Sequence, residues 1–142
     1  MSNHYQGGCH CGNIRYQLSS ALDWQMLAPR KCLCSFCVKH NHRYLSDPQA
    51  KLKVVIQEPE AAPGYLFGQK FAAFRVCHRC GVMPLVSAEI DGRQYAVINI
   101  NTMDGIENRK HAVAIDHDGE SLDVRLQQCR DKWIPDVQIE AG

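Results

Sequence analysis

The residues with the clearest chemical potential are three cysteines in the run Cys32-Leu33-Cys34-Ser35-Phe36-Cys37. A cysteine thiolate is both a nucleophile and a ligand for zinc. Catalytic zinc sites use three protein ligands and leave a fourth position for water or substrate. We therefore predict that Cys32, Cys34 and Cys37 hold a catalytic zinc whose open position accepts a thiol.

Two further cysteine pairs lie on either side of this run. Cys9 and Cys11 are near the start of the chain, Cys77 and Cys80 are past its middle, and a glycine follows each pair directly. Two such knuckles from distant segments commonly supply the four thiolates of a closed zinc site. We predict that these four cysteines bind a structural zinc. An iron–sulfur cluster is the rival metal group at this site.

A fourth protein ligand would close the three-cysteine site and make it structural, so this alternative stays open. The candidates are His40, which lies three residues beyond Cys37, together with His42 and Cys129. Reversible oxidation of the three thiols is a further alternative. The second hypothesis for function is therefore a non-catalytic zinc-binding or thiol redox module.

The other candidate side chains show no partner signal in the sequence. Cys129 follows a helical apolar pattern, so it is expected to be a small core residue. Trp24 and Trp133 are expected to be core or oligomer contacts rather than a platform for a ligand. We expect solvated side chains at His4, His10, His78, His111 and His117.

The length and composition fit one globular domain over residues 1–142, with 45% hydrophobic and 22% charged residues. The net charge is +1 without a basic block, so we expect neither a nucleic-acid nor a membrane partner. The polar start is not a signal peptide, and no apolar run approaches a membrane span. We expect a cytoplasmic protein whose eight cysteines serve metal binding or catalysis rather than disulfides, and a homo-oligomer is left open.

The elements that must position these cysteines are mostly short strands. Apolar and polar residues alternate over 14–18, and the apolar run 82–90 pairs with 95–100 in a hairpin across Asp91-Gly92. In the second arm of that hairpin we expect Asn99 and Asn101 to share one face. Further strands are predicted at 52–56, 65–67 and 71–76, with apolar pieces at 24–27 and 112–115 and a short helix at 122–133. The sequence therefore predicts a mainly β fold of several short antiparallel strands with little helix.

The order of three motifs resembles the glutathione-dependent formaldehyde-activating enzyme family, which includes centromere protein V. The motifs are Gly8-Cys9-His10-Cys11-Gly12, the run 32–37 and Cys77-His78-Arg79-Cys80-Gly81, and the resemblance covers about residues 5–105. It implies a fold of the β-tent type, with a structural zinc on the two pairs and a catalytic zinc on the run 32–37. It also implies a carbon–sulfur lyase, similar to S-hydroxymethylglutathione synthase, acting on glutathione and formaldehyde.

The chain departs from the family pattern just after the third thiol of the run. Residues 38–43 are bulkier than the small residues that members commonly carry there, and they include two histidines. The motif does not identify residues that contact glutathione. Lys39 and Arg43 could meet its carboxylates, although a solvated loop is expected for both.

Overall fold

A computed structural model of the chain describes residues 3–23, 29–105 and 113–142. Within these ranges the chain forms two β-sheets and two α-helices, which confirms the mainly β prediction. Short 3-10 turns lie at Pro59–Ala61 and Ile100–Thr102. The strands are β1 (Asn3–Gly8), β2 (Ile14–Ser20), β3 (Arg30–Cys32), β4 (Tyr44–Leu45), β5 (Lys51–Ile56), β6 (Ala73–Phe74), β7 (Leu85–Ile90), β8 (Arg93–Asn99), β9 (Val113–Ile115) and β10 (Asp136–Ala141), and the helices are α1 (Ser35–His40) and α2 (Leu122–Lys132).

The first sheet has the strand order β1-β2-β5-β10. The predicted alternation in β2 is confirmed, because Ile14, Tyr16 and Leu18 are buried between more exposed neighbours. Strands β1 and β5 flank β2 in antiparallel pairing, whereas β10 joins β5 in parallel. Strand β1 lies at the edge of the sheet, where polar residues can face solvent, so its sequence carries no apolar alternation.

The second sheet has the order β6-β7-β8-β4-β3-β9. Strands β7 and β8 form the predicted hairpin, and its two turn residues, Asp91 and Gly92, have φ values of 52° and 78°. Positive φ at both central positions is the requirement of a type I′ hairpin turn. Strand β9 pairs with β3 in parallel at the opposite edge, so the antiparallel prediction fails for this pair and for β5–β10.

Two clusters of buried side chains hold the sheets together. The larger cluster contains residues of both sheets, such as Tyr16 and Leu52 from the first and Leu85 and Ile98 from the second. The smaller cluster, which includes Cys37, lies under the three-cysteine run and against α2. Burial of these apolar side chains is the main favourable contribution to folding. The two cysteine groups therefore stand on two different parts of the core.

Several elements differ from the sequence predictions. The prediction of a strand at 65–67 is wrong. Only Tyr65 makes a bridge, to Phe74, and the side chain of Leu66 is half exposed. The strand at 71–76 is reduced to β6. Asn101 lies in a 3-10 turn rather than beside Asn99 on one strand face. The predicted piece at 24–27, together with His111 and Ala112, lies outside the described residues.

The predicted helix at 122–133 is confirmed as α2. Ser121 caps its first turn, with its side-chain oxygen accepting a hydrogen bond from the amide of Val124. Helix α1 is a single short helix of six residues that starts directly after Cys34. Neither helix is long and apolar enough to cross a membrane.

Candidate functional site

The two distant cysteine pairs meet in one cluster. The sulfur atoms of Cys9, Cys11, Cys77 and Cys80 all lie within 4.8 Å of one another. The Cys9–Cys11 and Cys11–Cys77 sulfur distances are 3.7 and 3.6 Å. A tetrahedral zinc with Zn–S bonds of about 2.3 Å has sulfurs about 3.8 Å apart. Among the donors present, this set therefore fits one four-coordinate metal ion.

Two tight turns present these four thiols. The first joins β1 to β2, and there the amide of Cys9 donates to the carbonyl of Ile14 at 2.9 Å. The Ile14 amide in turn donates to the sulfur of Cys9 at 3.3 Å. In the second turn the Gly81 amide donates to the carbonyl of Cys77 at 2.7 Å, with Gly81 at a φ of 80°. Such turns bring backbone N–H groups close to the sulfurs, which favours thiolates.

Burial and hydrogen bonding shift the pKa values of two thiols in this cluster in opposite directions. Burial raises the pKa of the Cys9 thiol to about 11. Burial also opposes ionisation of Cys80, but the amides of Val82 and Cys11 donate to its sulfur and lower the pKa of Cys80 to about 6. A bound cation favours all the thiolates together, because it neutralises their mutual repulsion.

The second cluster consists of Cys32, Cys34 and Cys37, whose sulfurs also lie within 4.8 Å of one another. Cys32 ends β3, and Cys34 caps α1 with its sulfur accepting from the amide of Cys37 at 3.4 Å. Contact with the thiols of Cys32 and Cys37 holds the pKa of Cys34 far below its ordinary value. Contacts with the thiols of Cys32 and Cys34, together with burial, raise the pKa of Cys37.

Within the described part of the chain, no fourth histidine, cysteine or carboxylate joins these three sulfurs. His40 instead stacks on His42, with ring centroids 4.9 Å apart and an interplanar angle of 13°. The Nδ1 atom of His42 lies 3.1 Å from the Tyr44 hydroxyl. Cys129 is buried on α2, as the sequence predicts. None of the three candidates, His40, His42 and Cys129, therefore joins the three sulfurs as a fourth ligand.

A buried tyrosine connects the second cluster to His42. The Tyr44 hydroxyl lies 3.0 Å from the sulfur of Cys37, and the side chains of both residues are buried. Burial and the nearby Cys37 raise the pKa of Tyr44, so its hydroxyl keeps its proton. Burial, and then His40, lower the pKa of His42 to about 4. Sequence analysis missed Tyr44, because the two-residue strand β4 that contains it has no periodic pattern from which its burial could be predicted.

The three-cysteine cluster opens into a cavity of about 340 Å³. This volume lies within the range of small-molecule sites, which is about 300–1,000 Å³. One part of the wall is apolar and contains Trp133, which packs on Phe71 and so lines the cavity rather than serving only as a core contact. The polar part of the wall is formed by Arg30, Gln69, Asp116, His117, Glu120, Arg125, Gln128 and Lys132.

The cations of the cavity come from parts of the chain that the motif does not include. Arg30 is on β3 and donates to the Ser46 hydroxyl at 2.6 Å, while the guanidinium of Arg125 lies 4.8 Å from the centroid of the Phe71 ring. Lys39 and Arg43, the two cations that the sequence suggested, do not line the cavity. Both are exposed or partly exposed, and Arg43 donates to the Asn101 side chain instead.

The histidines outside the two clusters have mixed outcomes. His4, His10 and His78 are exposed, as predicted. The prediction for His117 is wrong, because its ring is partly buried in the cavity wall and its Nδ1 lies 2.5 Å from Glu120 Oε1. His117 and Glu120 are only three residues apart in the chain. The polar sequence around them, however, does not indicate that they line a cavity.

Comparison with known proteins bears on the fold and on the family of this chain. A crystal structure of a Rhodobacter sphaeroides protein matches with a TM-score of 0.61, covering 78% of this chain and 99% of that one. The two sequences are 23% identical, so this likeness concerns the fold alone. The family model of the glutathione-dependent formaldehyde-activating enzyme matches residues 4–117. The chain therefore belongs to the glutathione-dependent formaldehyde-activating enzyme family.

Proposed function

We propose that this protein is a zinc-dependent carbon–sulfur lyase that makes and breaks the adduct of a thiol with an aldehyde. Glutathione and formaldehyde are the expected pair, because the family acts with them. In this proposal residues 1–142 form one cytoplasmic domain. Its structural zinc is held by Cys9, Cys11, Cys77 and Cys80, and its catalytic zinc by Cys32, Cys34 and Cys37.

The observation that carries the proposal is the convergence of three thiols at a cavity without a fourth ligand from the described residues. A zinc ion there would lower the pKa of an incoming thiol, so that the thiol is held as a thiolate. The cavity then keeps the aldehyde next to that sulfur. A closed, non-catalytic module would need a fourth ligand, and His40, His42 and Cys129 do not supply it.

The charges of the cavity support a thiol that carries carboxylates. Arg30, Arg125 and Lys132 contribute three cations to its wall. The carboxylate of Glu120 is already engaged by His117 and Gln128, and Asp116 is exposed. A guanidinium binds a carboxylate through paired N–H donors. Glutathione has carboxylates at both ends and its thiol between them, which suits this distribution.

The reaction adds the thiolate sulfur to the aldehyde carbon. A carbon–sulfur bond forms, the carbonyl electron pair moves to the oxygen, and that oxygen takes up the proton released by the thiol. Breakdown of the adduct reverses each of these changes. The hydroxyl of Tyr44 can donate to the sulfur of Cys37, which helps to hold that ligand as a thiolate while substrate is bound.

The proposal is tested by measuring the exchange rate between glutathione, formaldehyde and their adduct with NMR. Purified protein should raise the rate above that of the buffered solution. The variant Cys34→Ser should lose this effect while keeping the α1 cap, since serine caps a helix well. Cys129→Ser, which removes a cavity thiol outside the cluster, is the matched control and should keep activity. An exchange rate that wild-type protein leaves unchanged would refute the assignment.

A thiol redox module makes a different prediction for the same sample. Mild oxidation would then join two of the three thiols in a reversible disulfide and release the metal. Under the lyase proposal, oxidation abolishes the exchange activity and is not a step of the catalytic cycle. Mass analysis of alkylated protein after a cycle of turnover should therefore show Cys32, Cys34 and Cys37 fully reduced.

A further inference from the structure

The cavity wall contains a hydrogen-bonded histidine and carboxylate that the cysteine chemistry does not use. His117 Nδ1 lies 2.5 Å from Glu120 Oε1, and the side-chain Nε2 of Gln128 donates to Glu120 Oε2 at 2.7 Å. Both oxygens of the carboxylate are thus held, and the histidine ring is fixed through Nδ1. No described residue is a hydrogen-bond partner of the Nε2 atom. This nitrogen is therefore available to a ligand in the cavity.

Strand pairing brings the segment that carries this histidine next to the segment that carries the cysteine cluster. Strands β3 and β9 are parallel, with Cys32 opposite Ile115, and the Leu33 amide donates to the carbonyl of Ile115 at 3.0 Å. The chain therefore leaves the sheet at the same end of both strands. Two residues further along, one segment carries Cys34 and the other His117. Cys34 and His117 both line the cavity, so a ligand held at the cysteines shares this cavity with His117.

Adduct formation requires a group that both accepts and donates a proton. The thiol must lose its proton, and the carbonyl oxygen must gain one as the carbon–sulfur bond forms. Histidine performs both tasks near neutral pH, and a carboxylate on one ring nitrogen fixes which nitrogen reacts. The hydroxyl of Tyr44, another titratable group in the wall, is already placed between Cys37 and His42.

We propose that His117 is the general acid–base of the thiol–aldehyde reaction and that Glu120 is its positioning residue. In the forward direction Nε2 takes the thiol proton and then gives it to the carbonyl oxygen while the carbon–sulfur bond forms. In the reverse direction Nε2 removes the hydroxyl proton, the carbon–oxygen double bond forms, and the thiolate leaves and recovers that proton. Nothing is oxidised or reduced. The inference rests on the proposed lyase function.

The test compares variants in the glutathione–formaldehyde exchange assay. His117→Ala should lower the catalysed rate by about 100-fold or more, because a positioned acid–base group contributes on that scale. Added imidazole should restore part of the lost rate to His117→Ala. The matched control is His4→Gln, an exposed histidine that contacts Ser19 on the first sheet, and it should keep the wild-type rate and show no imidazole effect.

The role of Glu120 is separated by a double-variant cycle. Glu120→Gln alone should slow the reaction about tenfold, yet it should have little further effect in the His117→Ala background, because it acts through the histidine. Additive losses would mean that Glu120 has a separate, structural role and would overturn its assignment. As a control, zinc per chain is measured in each variant and should equal that of wild type.

Each outcome bears on one proposal. Wild-type exchange in His117→Ala would overturn the acid–base role while leaving the lyase function intact. A loss of rate that imidazole does not restore, with zinc retained, would also overturn it. If wild-type protein itself fails to raise the exchange rate, the proposed function fails, and the acid–base role fails with it.

Discussion

Replacing Tyr44 with phenylalanine should weaken metal binding at the three-cysteine site without disturbing the other cluster. Its hydroxyl lies 3.0 Å from Cys37 Sγ and 3.1 Å from His42 Nδ1. When Cys37 is a thiolate, the hydroxyl donates to the sulfur and accepts from the Nδ1–H of His42. A hydrogen bond to a charged group contributes about 1.5–3 kcal/mol. At about 1.4 kcal/mol per factor of ten, its loss weakens affinity about 10–100-fold.

Competition with a zinc chelator measures this change, because the weaker site releases its metal at lower chelator concentration. Tyr95→Phe is the matched control, since Tyr95 is also buried in the smaller core cluster but has no hydrogen bond to a cysteine among the described residues. Tyr44→Phe should release about one zinc per chain at a lower chelator concentration than wild type. Tyr95→Phe should release it at the same concentration as wild type. Equal release by all three proteins would refute the role of the Tyr44 hydroxyl.

Three further results are expected. Cys77→Ser should lower the melting temperature strongly and remove one zinc, because a structural zinc contributes on the order of 10 kcal/mol to folding. Gly92→Ala should lower the free energy of unfolding in urea by about 1 kcal/mol, because Gly92 has a φ of 78°. The depressed pKa of His42, about 4 against about 6.5 when unfolded, means that stability is lost as pH falls through that window. His42→Gln should therefore lose less stability than wild type between those pH values.

These three results would be contradicted by specific findings. Retention of both zincs in Cys77→Ser would remove that residue from the structural site. A wild-type unfolding midpoint in Gly92→Ala would mean that the turn tolerates a side chain at positive φ. Parallel stability curves for wild type and His42→Gln between pH 4 and 6.5 would show that His42 does not titrate on unfolding.

The features that sequence analysis predicts well are those fixed by neighbouring residues. The hairpin of β7 and β8 follows from Asp91-Gly92 between two apolar runs, and α2 follows from the helical spacing of apolar residues over 122–133. The cysteine groups are likewise predictable, because metal-ligand spacing is local within each knuckle. Their convergence in space agrees with that prediction.

The features that the sequence does not reveal depend on distant pairing. Parallel pairing of β3 with β9 joins segments more than eighty residues apart, and neither strand has a distinctive pattern over its three residues. This pairing precedes His117, which lines the same cavity as the cysteines. Because the pairing is not visible in the sequence, the histidine looks like a solvated residue there. Tyr44 is similar, since a two-residue strand offers no periodicity from which its burial could be inferred.

The central claim is that the metal on Cys32, Cys34 and Cys37 keeps a coordination position for substrate thiol. Spectra of the cobalt-substituted protein, titrated with glutathione, test it most directly. We expect the visible absorption to change and to saturate at about one glutathione per chain, with no change in Cys34→Ser. A wild-type spectrum that glutathione leaves unaltered would contradict the claim, because it would mean that the site is closed.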